Sequence, residues 1–125
     1  MLNLLINALD AAAMSRSERW IAVNTKGLDD QVELVVRDSG PGLSSEARRH
    51  LFESFFTTKP HGLGMGLVIV RSIVERHQGR IQVENGENAG AVFRVRLPVL
   101  EDARLPSAVR DPRRTAIEDA VPSRV

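Results

Sequence analysis

Apolar and polar positions along the chain switch repeatedly between a helical period and a strand period. Residues 2–15 place Leu2, Leu5, Ile6 and Leu9 at helical spacing, followed by an alanine run of high helix propensity. Two strand-like runs come next, Trp20 to Asn24 and Val32 to Arg37, parted by a polar turn with Gly27 and Asp29-Asp30. The stretch DSGPGLS packs two glycines and a proline together and predicts a loop. Ser44 or Ser45 is placed to cap a short helix through His50 or Phe52, with Glu46 early in it. FFTTKPHG is irregular. A helix from about Gly66 to His77 stops at Gly79, a residue suited to a left-handed C-cap. Two last strands, Arg80 to Glu84 and Ala91 to Leu97, flank a turn built on Asn85-Gly86 and Gly90.

The first helix starts at or before residue 2 with no capping residue ahead of it, so the N–H groups of its first turn lack a designed partner. Either an upstream part of the domain is missing, which is the expectation adopted, or the end frays in water.

Composition changes near Pro98. All five aromatic residues (Trp20, Phe52, Phe55, Phe56, Phe93) and all nine glycines precede it, and three of the six prolines follow it. Residues 1–98 are therefore expected to fold as one domain, and residues 99–125 to form a disordered tail or linker. A formal charge of +1 offers no electrostatic case for nucleic acid or a membrane surface as partner. No apolar run is long enough to span a bilayer, and MLNLLINALD lacks a signal peptide's basic region and cleavage site. The absence of cysteine excludes thiol catalysis and a disulfide scaffold, and the three histidines, His50, His61 and His77, are scattered. These features read as a cytoplasmic domain.

Three constellations carry chemistry. Asn3 and Asn7, at i and i+4, share one helix face, with Asp10 three residues further on. An asparagine amide oxygen suits Mg²⁺, and an exposed polar face is the alternative. Asp38, directly after a strand, can accept from an exocyclic amine, while Gly40 and Gly42 let backbone approach a flat ligand; an ordinary turn is the alternative. GLGMGL sets Gly62, Gly64 and Gly66 immediately before a helix, where N–H groups and the helix dipole favour phosphate. It matches neither the Walker A pattern nor the dinucleotide fingerprint. Lys59 upstream is within reach of a phosphate as a point charge.

Taken in order, NLLINALDAA resembles the N box, DSGPGL the G1 box, LFESFFTTKP the F box and GLGMGL the G2 box of the ATP-binding domain of sensor histidine kinases. The resemblance covers residues 2–98 and extends to the group that includes DNA gyrase and the MutL mismatch-repair proteins. TTKPHGLGMGL is most similar to the subgroup of the FixL oxygen sensors and NtrB-type nitrogen regulators. The resemblance implies an α/β two-layer sandwich, helices on one face of a mixed sheet (the Bergerat ATP-binding fold), incomplete at its N-terminus. It implies ATP and Mg²⁺ as cofactors, with Asn7 the Mg²⁺ ligand and Asn3 contributing beside it. Asp38 would read the adenine amino group, aided by Gly40 and Gly42. Gly62, Gly64, Gly66 and Leu67 would form the lid hinge and phosphate contact. Lys59, Thr57 and Thr58 would lie in that lid near the γ-phosphate, and Phe52, Phe55 and Phe56 would pack it against the domain or serve as core aromatics.

The resemblance gives His50, His61 and His77 no role, and His77 is better read as a dipole partner at a helix end. No segment reads as a phosphoacceptor helix, so the partners implied are a histidine-bearing dimerisation domain and a response regulator, within a homodimeric parent, membrane-anchored or not. The rival classes are a truncated non-catalytic interaction module and an ATP-driven clamp of the gyrase or MutL type. A serine kinase of the anti-sigma type is a weaker variant, disfavoured by the TTKP lid.

Overall fold

Alternating residues build the strands, and that alternation sorts the two faces of a sheet. The computed structural model describes residues 1–57, 66–88 and 90–99, together with the backbone of Ser123 and Arg124. The order is α1 (Leu2–Ala13), β1 (Trp20–Gly27), β2 (Gln31–Asp38), α2 (Ser45–His50), α3 (Gly66–Arg76), β3 (Arg80–Asn85), β4 (Ala91–Pro98) and β5 (Ser123–Arg124). Apart from Val99 and the short β5 pairing with Trp20 and Ile21, the expected tail lies outside the described residues.

The expected two layers are present. Leu4 and Ala8 of α1 and Val70 and Val74 of α3 pack with Val36, Ala91, Phe93 and Val95 of the sheet in one core. Among the described strands, however, the sheet is not mixed. Its order is β3-β4-β2-β1-β5, and every described pairing is antiparallel. β2 and β3 do run the same way, joined through the helices. β4 then folds back from β3 into the gap between them, so parallel neighbours never meet.

Of the expected stripe on α1, Leu5 packs partly against the core but Leu2, Ile6 and Leu9 do not. Leu4, Ala8 and Ala12 are buried, whereas Leu2 is 69% exposed and Ile6 and Leu9 are 43% and 42% exposed. Beyond Leu4 the buried positions are alanines, and the helix comes very close to the loop after β2. A Cβ on Gly40 would lie 2.6 Å from the Ala11 carbonyl oxygen. As expected, α1 has no side-chain cap, while Ser44 caps α2 by accepting from the Ala47 N–H at 3.0 Å.

The end of α3 also differs from expectation. Gln78, not Gly79, takes the left-handed conformation, with φ 59°. Gln78 N–H donates to the Glu75 carbonyl and Gly79 N–H to the Val74 carbonyl, each at 2.9 Å, which is the bonding of a Schellman motif. Gly79 is needed for a steric reason instead, since a Cβ there would meet the Arg96 carbonyl oxygen at 2.5 Å.

On the sheet face away from the helices, Glu33 accepts from Arg96 at 2.7 Å and Arg94 at 3.4 Å, and Arg94 also bonds Glu84 at 3.0 Å. Glu33 is 8% exposed. The Arg96 hydrogen bond, with the charges of Arg96, Arg94 and Lys26, holds its carboxyl below the usual 4.5 against the effect of burial. Stability from this group is therefore present above pH 4.5 and is lost as pH falls through the lowered folded value.

Gln78→Gly is expected to raise the unfolding free energy by about 0.5–1 kcal/mol, because glycine relieves the left-handed backbone; thermal denaturation checks this, and a lower midpoint contradicts it. Glu33→Gln is expected to cost about 1 kcal/mol at pH 7, a surface-scale value, since solvent screens the network. In urea titrations that difference should shrink as pH is lowered past 4.5.

Candidate functional site

The end of β2 carries a carboxylate that water scarcely reaches. Asp38 is 2% exposed, and its Oδ1 accepts from the Gly40 N–H at 2.9 Å and the Ala91 N–H at 3.2 Å. Burial raises its pKa above the ordinary 3.8, and the two N–H bonds oppose that rise. Both bonds use Oδ1, so neither occupies Oδ2. The chain around the carboxylate leaves little room. Gly90 has φ 71°, and a Cβ there would overlap the Asp38 carbonyl oxygen.

The loop after Asp38 is held on two sides. Gly40 sits against Ala11 of α1, and Gly42 has φ 76°, which explains both glycines by backbone conformation and close approach. At the far end, Asn85 accepts from the Leu43 N–H and donates to the Leu43 carbonyl, each at 2.8 Å. The sequence marked Asn85 only as a turn residue. The available signal was an amide side chain ending one strand opposite a glycine-rich loop.

Asn3, Asn7 and Ala11 follow one another at i, i+4 and i+8 on one face of α1. Asn3 and Asn7 are half-buried, so this is not a fully exposed polar face. Asn3 Nδ2 donates to the Gly66 carbonyl at 3.3 Å, tying the start of α1 to the start of α3. One face of one helix therefore meets the Asp38 loop at Ala11 and the N-terminus of α3 at Asn3, about 12 Å apart, with Asn7 midway.

Other expected site residues divide clearly. Thr58, Lys59, His61, Gly62 and Gly64 lie outside the described residues, and Thr57 is exposed just before them. Gly66 opens α3, and Leu67 packs partly against the core. Phe52 joins the core edge, with the Arg71 guanidinium 5.7 Å from its ring centre. Phe56 lies 5.9 Å from the His50 ring, and His50 Nδ1 is 3.0 Å from a Glu53 oxygen. Phe55 is not a core aromatic, because φ of 66° accompanies 78% exposure of the residue. His77 Nδ1 bonds the Ile73 carbonyl at 2.8 Å, in keeping with a role at the helix end.

Among the described residues no three His, Cys, Asp or Glu side chains gather as a metal site. Two open depressions, of about 630 and 420 Å³, are lined by strand residues such as Gln82, Arg94 and Arg96 and by Gln78 to Arg80. They sit apart from Asp38 and α1, and nothing in their lining resembles a base or phosphate cradle. None of the described helices is long and apolar enough to cross a membrane.

The sheet is thus backed by helices, with a buried strand-end carboxylate and a glycine-led helix along one face of α1. Residues 1–101 match the model for histidine kinase-, DNA gyrase B- and HSP90-like ATPases, and the chain belongs to that family. The sensor protein FixL of Bradyrhizobium diazoefficiens is 42% identical over 102 residues, covering 82% of this chain and 20% of that protein. The sensor histidine kinase ZraS of Salmonella typhimurium is 40% identical over 101 residues, covering 80% of this chain and 21% of ZraS. Among solved structures, the catalytic domain of histidine kinase ThkA superposes with a TM-score of 0.67 at 38% identity, covering 78% of this chain and 62% of that one.

Full-length ShkA in complex with AMPPNP gives a TM-score of 0.63 at 30% identity, covering 77% of this chain and 20% of that one. The chain is thus an ATPase domain of the sensor histidine kinase type, and it spans about a fifth of the curated relatives it matches. The expected likeness to FixL is found, and nucleotide binding is what this family membership implies.

Gly90→Ala tests the packing around the carboxylate. It is expected to cost about 3 kcal/mol or more, since both the left-handed φ and the Asp38 main chain oppose a side chain. Chemical denaturation reads the loss, and a change below 1 kcal/mol contradicts the described packing.

Proposed function

We propose that this domain binds Mg-ATP and presents the γ-phosphoryl group to a histidine on a separate dimerisation domain, within a two-component pathway. The observation that carries the reading is the single face of α1, which links the Asp38 loop and the start of α3 about 12 Å apart. That separation suits a nucleotide lying along the helix, base at one end and phosphates at the other. Asp38 accepts from the adenine amino group, and its buried setting excludes competing water. Gly40 and Gly42, packed against Ala11 and against Asn85 and Gly90, let the loop backbone take the close course that brings it to the flat base.

At the other end, the N-terminus of α3 with Gly62, Gly64, Gly66 and Leu67 receives the phosphates through N–H groups and the helix dipole. Lys59, Thr57 and Thr58 supply charge and hydroxyl contacts near the γ-phosphate. One amide oxygen from Asn7, with Asn3 on the same helix face and no carboxylate cluster among the described residues, fits a Mg²⁺ ion that arrives with the phosphates and keeps several waters. Held there, Mg²⁺ would supply positive charge that offsets the charge of the phosphates. The residues of this chain hold and orient the donor: a histidine nitrogen of the partner domain attacks the γ-phosphorus, and the bond to the β-phosphate oxygen breaks as ADP leaves. A response regulator is the expected downstream partner, and the whole kinase is expected to be a cytoplasmic-facing homodimer.

Calorimetric titration with Mg-ADP tests the reading. Saturable binding that weakens without Mg²⁺ is expected, and a folded chain that binds no nucleotide contradicts it. Asn7→Ala should weaken Mg-nucleotide binding about tenfold, the loss of one good ligand contact. His61→Ala should change it far less, and equal losses contradict the assignment. Because the ionised Asp38 is the stronger acceptor and the protonated form carries an O–H that faces the amino group as a second donor, ADP affinity should fall on acidification, beginning above the pH of 3.8 at which an ordinary aspartate titrates. Asp38→Asn should remove that pH dependence.

A further inference from the structure

Asn85 lies outside every element of the proposed nucleotide contact, yet both ends of its amide are committed to one residue of the loop beside Asp38. Its Oδ1 accepts from the Leu43 N–H and its Nδ2 donates to the Leu43 carbonyl, each at 2.8 Å, as a neighbouring strand would. Asn85 is the last residue of β3 and pairs in register with Ala91 of β4. Ala91 N–H in turn donates to Asp38 Oδ1, which also takes the Gly40 N–H. A closed ring results, running from Asp38 through Gly40 and the loop to Leu43, across Asn85 to Ala91, and back to Asp38. Asp38 fixes the near end of the loop, and Asn85 alone in that ring fixes the far end.

Gly42 sits inside the ring. A Cβ on it would approach Asn85 Oδ1 at 3.0 Å and the Gly90 carbonyl oxygen at 3.2 Å, so the loop has one narrow seat. Asn85 itself is exposed at the surface, with no part in the core cluster. An exposed side chain with both hydrogen-bonding ends spent on one main-chain residue does little for the core and much for the placement of that residue.

We infer that Asn85 is a positioning residue for base recognition: it holds residues 40–43 so that the Asp38 carboxylate and the loop backbone meet the purine in register. This rests on the reading of Asp38 as the acceptor of the adenine amino group. Without the clamp, Asp38 keeps its two N–H bonds, but the far side of the loop no longer has a fixed place. Affinity for an adenine nucleotide then falls, and so does discrimination against a purine that carries a carbonyl instead of the amino group.

The test compares Mg-ADP with Mg-inosine diphosphate by calorimetry on the 125-residue chain, on Asn85→Ala and on Asn85→Asp, with circular dichroism to establish that each is folded. The unaltered chain should prefer ADP. Asn85→Ala should lose about five- to tenfold in ADP affinity, the scale of one or two hydrogen bonds, and its preference over inosine diphosphate should narrow. Asn85→Asp, which keeps an oxygen for the Leu43 N–H, should recover part of both. A purely structural role would lower the melting midpoint and leave the ratio of the two affinities unchanged; that result overturns the proposal alone. If the unaltered chain binds without preferring ADP, or does not bind, the adenine reading of Asp38 fails and this proposal with it.

Discussion

A carboxylate shut away from water has to find its hydrogen bonds in donors that do not move, and Asp38 obtains them from main-chain N–H groups at two distant places in the sequence. Much of the local architecture follows. The Gly40 amide must turn back over the end of β2, and Ala91 must begin β4 beside it. Gly90 must be glycine because the Asp38 main chain fills the space a side chain would need. Burial works against ionisation and the two N–H groups work for it, with burial the larger effect. A group held in that balance is costly as a structural feature, which gives a physical motive for a ligand that uses its second oxygen.

Helix α1 translates this local constraint into a layout. Its small-residue stripe lets it lie close enough for Ala11 to back Gly40, and the same closeness places Asn3 within hydrogen-bond reach of Gly66. Larger residues at Ala8 or Ala12 would lift the helix and separate the two ends of the site. The alanines that read in the sequence as mere helix formers are therefore what sets the distance between the carboxylate and the α3 N-terminus. The charged network on the far face of the sheet, centred on Glu33, stiffens β2 and β4 from behind without entering the site.

Much of this was legible from residue order. The strands, the Ser44 cap, the glycine loop after Asp38 and the shared face of Asn3 and Asn7 all emerge from local patterns, and local patterns determine local structure. What was hidden depends on contacts between distant segments. The apolar spacing of α1 pointed to Leu2, Leu5, Ile6 and Leu9, of which only Leu5 packs on the core, and proximity to Gly40 favours alanine on the buried side. The left-handed position at the end of α3 went to Gln78, because Gly79 was needed against β4. The sheet is antiparallel because β4 inserts between β2 and β3, a choice no single strand records. Asn85 reads as a turn former until Leu43 is seen beside it. Phe55 has the character of a core residue, yet its backbone conformation accompanies exposure.

The central claim is that the buried carboxylate recognises the base. The most direct measurement follows the amide resonances of Gly40 and Ala91, whose protons both point at Asp38 Oδ1, while Mg-ADP is titrated into the isotope-labelled chain. The account predicts that the two move together and saturate with the same dissociation constant. Saturable binding that leaves both resonances in place would contradict it, because the nucleotide would then be held somewhere other than at Asp38.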